Sequence, residues 1–230
     1  MSALTLSAIT VVFDLDGTLV DTAPDLVATL NSVIAREGMP PVPYEAARNM
    51  VGSGARRMIE QAIARAGATC AVADINRMFN DFIAYYAAHI VDHSRPFPGL
   101  AGALDSLAAR ECRLAVCTNK LEGLSHLLLE KLGLSARFAA ICGQDTFGVQ
   151  KPDPEILRRT IRRAGGSLDR AVMVGDSATD IDTARAAAVP VIAVDFGYTD
   201  TPVAQLRPDR VIGHFDMLPA AVFDLLPARG

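Results

Sequence analysis

The sequence predicts an α/β protein with a parallel sheet covered by helices on both faces and an all-helical segment inserted after the first strand. Three observations lead to this prediction: short apolar runs of strand length, helix-like stretches that alternate with them, and one long interval without a strand-like run. Alternating strands and helices favour a parallel sheet that is covered on both faces. The 230 residues allow one large domain, or a core with a smaller companion.

Outside that interval, strands are expected where β-branched or apolar runs end at polar or turn residues. The predicted strands are Ile9 to Phe13, Leu114 to Cys117, Ala171 to Val174, Val191 to Val194 and, more weakly, Phe138 to Cys142. The predicted helices are Leu100 to Arg110, Leu121 to Leu132, Pro154 to Ala164 and Ala178 to Ala188. Pro154 suits a first helical turn, and Gly133 and Gly165 suit helix ends.

The interval from about Asp21 to Arg95 is predicted to be all helical. Three groups of apolar residues keep helical spacing there, around Leu30, Ile59 and Phe82. Amphipathic helices must bury their apolar faces, and several together make a small bundle. We therefore predict a core formed by residues 1–20 and 95–230 and a helical domain formed by residues 21–94. The prolines and glycine that follow Arg95 suit a connection and, with Asp21, a hinge.

Composition narrows the classes of partner. The net charge of −4 gives no basic footprint for nucleic acid. No apolar run approaches the length of a membrane span, and the N-terminal residues lack the basic region of a signal peptide. The four cysteines form no C-x-x-C pair, which favours free thiols in a reducing compartment. We expect a cytoplasmic protein that acts on a small molecule, and the oligomeric state stays open.

Polar residues follow three of the predicted strands. Asp14 and Asp16 follow the strand that ends at Phe13, Thr118 and Asn119 follow the one that ends at Cys117, and Asp176 follows the one that ends at Val174. In an open parallel sheet, ligands bind at the carboxyl ends of the strands. These side chains are therefore expected to converge on one edge of the sheet.

Four motifs resemble those of the haloacid-dehalogenase superfamily, and within it the phosphoglycolate phosphatase branch. They are Asp14-Leu15-Asp16-Gly17-Thr18-Leu19, Cys117-Thr118-Asn119-Lys120, Lys151-Pro152-Asp153-Pro154 and Val174-Gly175-Asp176-Ser177-Ala178-Thr179-Asp180-Ile181. The resemblance spans essentially the whole chain. It implies a Rossmann-like core, a helical cap inserted after the first motif, and a phosphatase activity.

The resemblance also implies the roles of the two carboxylates in the first motif. Asp14 would be the nucleophile, since a carboxylate can attack phosphorus and form an aspartyl-phosphate. Asp16, two residues further on, can lie on the same side of the chain and act as general acid and base. The negative charges of a phosphate ester and a carboxylate require a cation, and Mg²⁺ prefers such oxygen ligands. Asp14, Asp176 and the backbone carbonyl of Asp16 are its expected ligands.

The remaining motif residues are expected to position and neutralise the phosphoryl group. The Thr118 hydroxyl and the Asn119 backbone N–H would hold its oxygens, and Lys151 would neutralise charge in the transition state. Asp180, one helical turn after Asp176, is expected to orient Lys151 or a metal-bound water rather than to bind the metal directly.

A glycine-containing segment of the cap resembles the specificity loop of phosphoglycolate phosphatases. It contains Gly52, Ser53, Gly54, Arg56 and Arg57 and opens a predicted helix. Backbone N–H groups at a helix N-terminus can receive an anion. An arginine could add a contact to a substrate carboxylate, although a solvated arginine on the helix surface is at least as good an interpretation.

The function implied is Mg²⁺-dependent hydrolysis of a small phosphomonoester, with 2-phosphoglycolate as the preferred substrate. Sugar phosphates, nucleotides and pyrophosphate stay open as alternative substrates, and so does a phosphomutase. A hydrolytic dehalogenase is a weaker interpretation because its chemistry needs neither Asp16 nor a magnesium site. A non-catalytic binding module is weaker too, since it would have no need to keep Asp14, Asp16, Lys151 and Asp176 together.

Overall fold

A six-stranded sheet forms the centre of the structure, a computed structural model that describes residues 8–227. The strands are β1 (Thr10–Phe13), β2 (Val20–Asp21), β3 (Arg95–Pro96), β4 (Arg113–Cys117), β5 (Ala140–Cys142), β6 (Ala171–Gly175), β7 (Val191–Val194) and β8 (Arg210–Ile212). The helices are α1 (Ala23–Ala35), α2 (Tyr44–Arg48), α3 (Ala55–Arg65), α4 (Val72–Ala88), α5 (Leu100–Ala108), α6 (Glu122–Lys131), α7 (Pro154–Arg163), α8 (Ala178–Ala187) and α9 (Leu218–Leu225).

The main sheet is parallel throughout, with the strand order β5-β4-β1-β6-β7-β8. Its central strand β1 lies between β4 and β6, so that Val12 pairs with Ala115 on one side and Met173 on the other. Helices lie on both faces. The predicted α/β fold class is confirmed.

A hydrophobic core lies on each face of the sheet, because successive side chains of a strand point to opposite faces. Val11 and Phe13 of β1 belong to one hydrophobic cluster, which includes buried residues of α5, α6 and α9. Val12 belongs to a second cluster, which includes Ile156 of α7 and Ile181 of α8. All four residues of β1 are therefore buried, and the sheet is covered on both faces.

The ends of several elements differ from the predicted ones, and two elements after β7 are additional. Strand β5 begins at Ala140, because Phe138 still follows a short helical turn at residues 135–137. Strand β8 and helix α9 were not predicted. Strand β8 lies at the edge of the sheet with Arg210 and Val211 exposed, so it lacks the apolar run of a buried strand.

Four helices, α1 to α4, occupy the interval that was predicted to be helical. Leu30, Ile59 and Phe82 are buried in one hydrophobic cluster, as their helical spacing predicts. The five-residue helix α2 was not predicted. The division at residues 21–94 stays a prediction, and residues 1–7 and 228–230 of the predicted core lie outside the described residues. No helix within residues 8–227 is both long and apolar enough to cross a membrane.

Two short antiparallel strands join the inserted helices to the core. Strand β2 pairs with β3, with Val20 opposite Pro96 and Asp21 opposite Arg95. The prediction that the residues around Arg95 form only a connection was therefore wrong. A two-residue pairing leaves no periodic pattern in the sequence, since it depends on two distant segments meeting.

The buried carboxylate of Asp25 stabilises this junction through hydrogen bonds that link α1 to the residues before β3. The Asp25 side chain accepts hydrogen bonds from the Ser94 backbone N–H at 2.8 Å, the Ser94 hydroxyl at 2.7 Å and the His93 backbone N–H at 3.0 Å. It is only 2% exposed. Hydrogen bonds to a charged acceptor are among the stronger ones, and donors left unpaired inside a protein are costly.

Replacing Asp25 by Ala should therefore lower the free energy of unfolding by about 3 kcal/mol, because Ser94 and His93 would lose their acceptor. Denaturant unfolding measures this change. Asp92→Ala is the control. The Asp92 side chain pairs with the exposed ring of His89, so this substitution should lower the free energy of unfolding by less than about 1 kcal/mol. An equal decrease of the free energy of unfolding in the two variants would contradict the stabilising role of Asp25.

Candidate active site

Polar side chains converge where three neighbouring strands end. Asp14 follows β1, Thr118 follows β4, and Asp176 follows β6. All three are buried, at 4%, 2% and 3% exposure. Because the three strands are parallel and adjacent, their carboxyl ends bring these residues to one edge of the sheet.

A lysine from the loop before α7 reaches two of the carboxylates. The Lys151 Nζ lies 2.8 Å from Asp14 Oδ1 and 2.6 Å from Asp180 Oδ1. Burial by itself would lower the pKa of Lys151, but the attraction of Asp14 and Asp180 outweighs it and raises that pKa above its usual value. Lys151 is therefore a buried ammonium group directed at Asp14.

The Asn119 side chain holds the backbone of Lys151 in place. Its Oδ1 accepts from the Lys151 backbone N–H at 2.9 Å, and its Nδ2 donates to the Lys151 carbonyl at 3.2 Å. From the sequence, a role was predicted only for the backbone N–H of Asn119. Its side chain joins the residues after β4 to the lysine loop.

Both carboxylate oxygens of Asp180 contact neighbouring protein groups. One oxygen contacts Lys151, and the other accepts from the Ser177 hydroxyl at 2.6 Å, the Ser177 backbone N–H at 3.1 Å and the Asp176 backbone N–H at 3.2 Å. Ser177 and Asp180 thus form the capping box that begins α8. Asp180 therefore lies where it fixes the position of the Lys151 ammonium group.

Asp176 is oriented by residues from two other segments. The Thr18 hydroxyl donates to its Oδ1 at 2.9 Å, and the Tyr198 backbone N–H donates to its Oδ2 at 2.8 Å. Gly17 has a φ of +83°, and a Cβ there would come within 2.5 Å of Asp176 Oδ2. The turn therefore requires glycine for its backbone conformation and for this close approach.

Asp16, two residues after Asp14 in the first motif, lies next to a second lysine. Its Oδ1 accepts from the Thr22 hydroxyl at 2.7 Å and lies 3.0 Å from the Lys120 Nζ. Lys120 also lies over the Tyr86 ring, 4.5 Å from its centroid. Neither Lys120 nor Tyr86 was among the predicted site residues.

The charges of the site do not balance. When all four are deprotonated, the carboxylates of Asp14, Asp16, Asp176 and Asp180 exceed the ammonium groups of Lys120 and Lys151 by two negative charges. Burial raises the pKa of Asp14 to about 6, with Lys151 opposing the change. Burial, assisted by the negative charges of Asp180 and Asp14, raises the pKa of Asp176 to about 8.

These carboxylates have the composition of a site for a divalent cation. One oxygen each from Asp14, Asp176 and Asp180 lies within 4.8 Å of the others. Hard oxygen ligands suit Mg²⁺ and similar ions. Asp176 is a better ligand than Asp180, because each Asp176 oxygen accepts one hydrogen bond, whereas one Asp180 oxygen accepts three and the other contacts Lys151. Asp14 contacts Lys151 through one oxygen, which leaves its other oxygen for a cation.

The predicted cap loop is only partly directed at this site. Gly52 and Gly54 line a cavity together with Asp16 and Thr118. The Ser53 hydroxyl instead donates to the Met50 carbonyl at 2.7 Å.

The two arginines of the loop point elsewhere. Arg56 donates to Asn76 Oδ1 at 2.7 Å and lies over the Phe79 ring. Arg56 and Arg57 line a neighbouring surface groove beside Gln150, which shares Gly54 and Phe79 with the cavity at Asp16. Neither arginine lines the cavity itself, so the geometry lends no support to a role for either one at the substrate.

Comparison with known proteins identifies the class of enzyme that has this fold and these acidic residues. Residues 11–194 match the family described as haloacid dehalogenase-like hydrolase, and the chain belongs to that family. It is therefore a hydrolytic enzyme.

Two relatives of about half-identical sequence are phosphoglycolate phosphatases. A phosphoglycolate phosphatase from Agrobacterium fabrum is 50% identical over 219 residues, covering 95% of this chain and 94% of that protein. One from Mesorhizobium japonicum is 51% identical, covering 90% of this chain and 92% of that protein. A crystal structure of a predicted phosphoglycolate phosphatase from Haemophilus somnus has a TM-score of 0.87 and 27% identity, covering 95% of this chain and 99% of that one. The predicted resemblance is confirmed.

Proposed function

We propose that this hydrolase is a Mg²⁺-dependent phosphatase that converts 2-phosphoglycolate to glycolate and phosphate through an aspartyl-phosphate at Asp14. The observation that carries the proposal is the buried Asp14 carboxylate, 2.8 Å from the Lys151 ammonium group within a cluster of acidic side chains. The phosphoglycolate phosphatases of about half-identical sequence support the choice of substrate.

Asp14 is the nucleophile in this proposal, and Asp16 is the general acid and base. Attack by Asp14 on phosphorus forms the aspartyl-phosphate, while Asp16 gives a proton to the departing glycolate oxygen. Asp16 then accepts a proton from the water that attacks phosphorus, the bond between Asp14 and phosphorus breaks, and inorganic phosphate leaves with the Asp14 carboxylate restored. Thr22 and Lys120 support the position of Asp16 through contacts of 2.7 and 3.0 Å.

Lys151, Thr118 and Asn119 stabilise the phosphoryl group. Lys151 is fixed by Asp180 and by the Asn119 side chain, so its charge is in place before the reaction begins. Groups positioned in advance toward developing charge stabilise a transition state strongly. The Thr118 hydroxyl and the Asn119 backbone N–H complete the set of donors in this proposal.

The side chains of Asp14 and Asp176 and the backbone carbonyl of Asp16 would hold Mg²⁺. Bound there, the ion reduces the repulsion between the anionic substrate and the anionic nucleophile. The excess of negative charge and the high pKa of Asp176 support a cation at this position. Thr18 and the Tyr198 backbone N–H keep Asp176 in a fixed orientation.

Metal binding should depend on pH, because Mg²⁺ requires deprotonated carboxylates. Asp14 and Asp176 have a raised pKa in the metal-free fold, of about 6 and about 8. Their contribution to stability is present when they are protonated and is lost as the pH rises through these values. Mg²⁺ should therefore raise the Tm more at about pH 8.5 than at about pH 5.5.

Thermal unfolding with and without Mg²⁺ at the two pH values tests this expectation. Asp176→Asn serves as the control and should show little stabilisation by Mg²⁺ at either pH. An equal shift of the Tm at both pH values in the unmodified protein would contradict it.

Residues 21–94 act as a cap in this proposal, hinged at the β2 and β3 pair. Gly52 and Gly54 of the cap line the cavity at Asp16, so closure would bring these backbone groups over the substrate. Closure of such a domain excludes water from the reaction. We also infer a cytoplasmic location, since all four cysteines are free and a reducing compartment suits them.

A panel of phosphomonoesters with Mg²⁺, compared by kcat/KM, tests the proposed function. The panel should contain 2-phosphoglycolate, sugar phosphates, nucleotides and pyrophosphate, with release of inorganic phosphate as the readout. We expect the highest kcat/KM for 2-phosphoglycolate. A higher value for another substrate would overturn the choice of substrate, and transfer of phosphate without its release would identify a mutase instead.

A further inference from the structure

A cavity lies between the end of the sheet and the inserted helices, next to Asp16. The first motif, the residues after β4 and helices α3 and α4 all contribute to it. Most of its lining is apolar, including Met58, Phe82 and Ile83. Its few polar groups therefore determine what it can bind.

One of these polar groups is a tyrosine hydroxyl without a partner. Tyr86 of α4 is fully buried and lines the cavity, and its hydroxyl makes no hydrogen bond within residues 8–227. Leaving a buried hydroxyl unpaired costs roughly 1–3 kcal/mol. A ligand that accepts a hydrogen bond in the cavity would remove this cost.

The second polar group is the Lys120 ammonium. Lys120 also lines the cavity and is 8% exposed. Its Nζ contacts Asp16 and lies against the face of the Tyr86 ring. A lysine ammonium has three N–H donors, and a single carboxylate contact leaves donors for a further anion.

The third is the N-terminus of the 11-residue helix α3. Its N-cap is Gly54, which supplies no side-chain acceptor for the first backbone N–H groups. Gly54 and Ala55 both line the cavity. Unpaired N–H groups and the positive end of the helix dipole favour a negative charge there.

We propose that Lys120, the Tyr86 hydroxyl and the N-terminus of α3 bind the carboxylate of the substrate's leaving group. This inference rests on the proposed function. Asp16 would protonate the ester oxygen, and in 2-phosphoglycolate the carboxylate lies one carbon beyond that oxygen. Because Lys120 Nζ is 3.0 Å from Asp16 Oδ1, it can reach a carboxylate at that position.

The same arrangement disfavours larger polar substrates. A sugar or nucleoside leaving group carries several hydroxyl or ring polar groups, each of which needs a partner once it is buried. Met58, Phe82 and Ile83 offer none. The site therefore selects a short leaving group that carries one anion.

The test compares 2-phosphoglycolate with ethyl phosphate, which has the same two-carbon length but no carboxylate. The ratio of their kcat/KM values should fall about 100-fold in Lys120→Met and about 10-fold in Tyr86→Phe, as expected for a lost charged contact and a lost hydrogen bond. Tyr85→Phe is the matched control. Its ring stacks on His89, outside the cavity lining, so the ratio should not change.

A stability measurement separates a binding role from a structural one. Tyr86→Phe removes only an unpaired buried hydroxyl, so the Tm of the protein without substrate should be unchanged or higher. A lower Tm would show that the hydroxyl supports the fold, and would overturn the proposal.

The outcomes also separate this inference from the proposed function. If the unmodified enzyme prefers 2-phosphoglycolate and both Lys120→Met and Tyr86→Phe keep that preference, the carboxylate site is wrong and the proposed function stands. If the unmodified enzyme shows no preference for 2-phosphoglycolate over ethyl phosphate, the proposed substrate fails and the carboxylate site fails with it.

Discussion

Asp14→Asn is expected to reduce phosphate release by about 10⁴-fold or more, since it removes a covalent nucleophile. The change also removes a proposed ligand of the metal. Asparagine has nearly the same volume, so the packing around β1 should be kept. Steady-state release of phosphate from 2-phosphoglycolate measures the loss.

The fold of this variant should be intact, and the metal-free protein should be at least as stable as the unmodified one near neutral pH. Burial raises the pKa of Asp14 to about 6, so its negative charge destabilises the metal-free fold above that pH. Thermal unfolding without Mg²⁺ is the control for folding. Activity equal to that of the unmodified enzyme would contradict the role of Asp14.

Lys151→Met is expected to lower kcat/KM by about 10³-fold, because it removes a positive charge directed at the transferring phosphoryl group. It should also lower the free energy of unfolding by about 3–5 kcal/mol, as removing one partner of a buried ion pair leaves uncompensated charge. In this case Asp14 and Asp180 would be left without their shared cation. Kinetics and denaturant unfolding measure the two losses separately.

Lys131→Met provides the matched control. Lys131 lies in the last turn of α6 and is exposed, so the same substitution there should change neither activity nor stability appreciably. Unchanged kcat/KM in Lys151→Met would contradict the proposed role of Lys151.

The sequence predicts the centre of the sheet well because its strands are buried on both faces. Thr10–Phe13 and Val191–Val194 are runs of β-branched or apolar residues, and both are strands in the structure. The edge strand Arg210–Ile212 is exposed on one side and carries a charge, so its pattern resembles that of a loop. A pattern of apolar residues predicts a strand only where the strand is buried, so exposed strands cannot be predicted in this way.

The same distinction holds at the site. Asp14, Thr118 and Asp176 could be predicted to meet, because each directly follows a strand and parallel strands end together. Tyr86 and Tyr198 could not, since their positions depend on how the inserted helices and the loop after β7 pack over the sheet. Tyr198 lies 22 residues from the carboxylate that its backbone N–H orients, and no local motif marks it.

The covalent role of Asp14 is the central claim, and the stereochemistry at phosphorus tests it most directly. The substrate would be a 2-phosphoglycolate analogue whose thiophosphate is chiral through oxygen isotopes, hydrolysed in isotopically labelled water. An aspartyl-phosphate requires two successive displacements, each with inversion, so we expect net retention of configuration. Net inversion would show a single direct attack by water and would contradict it.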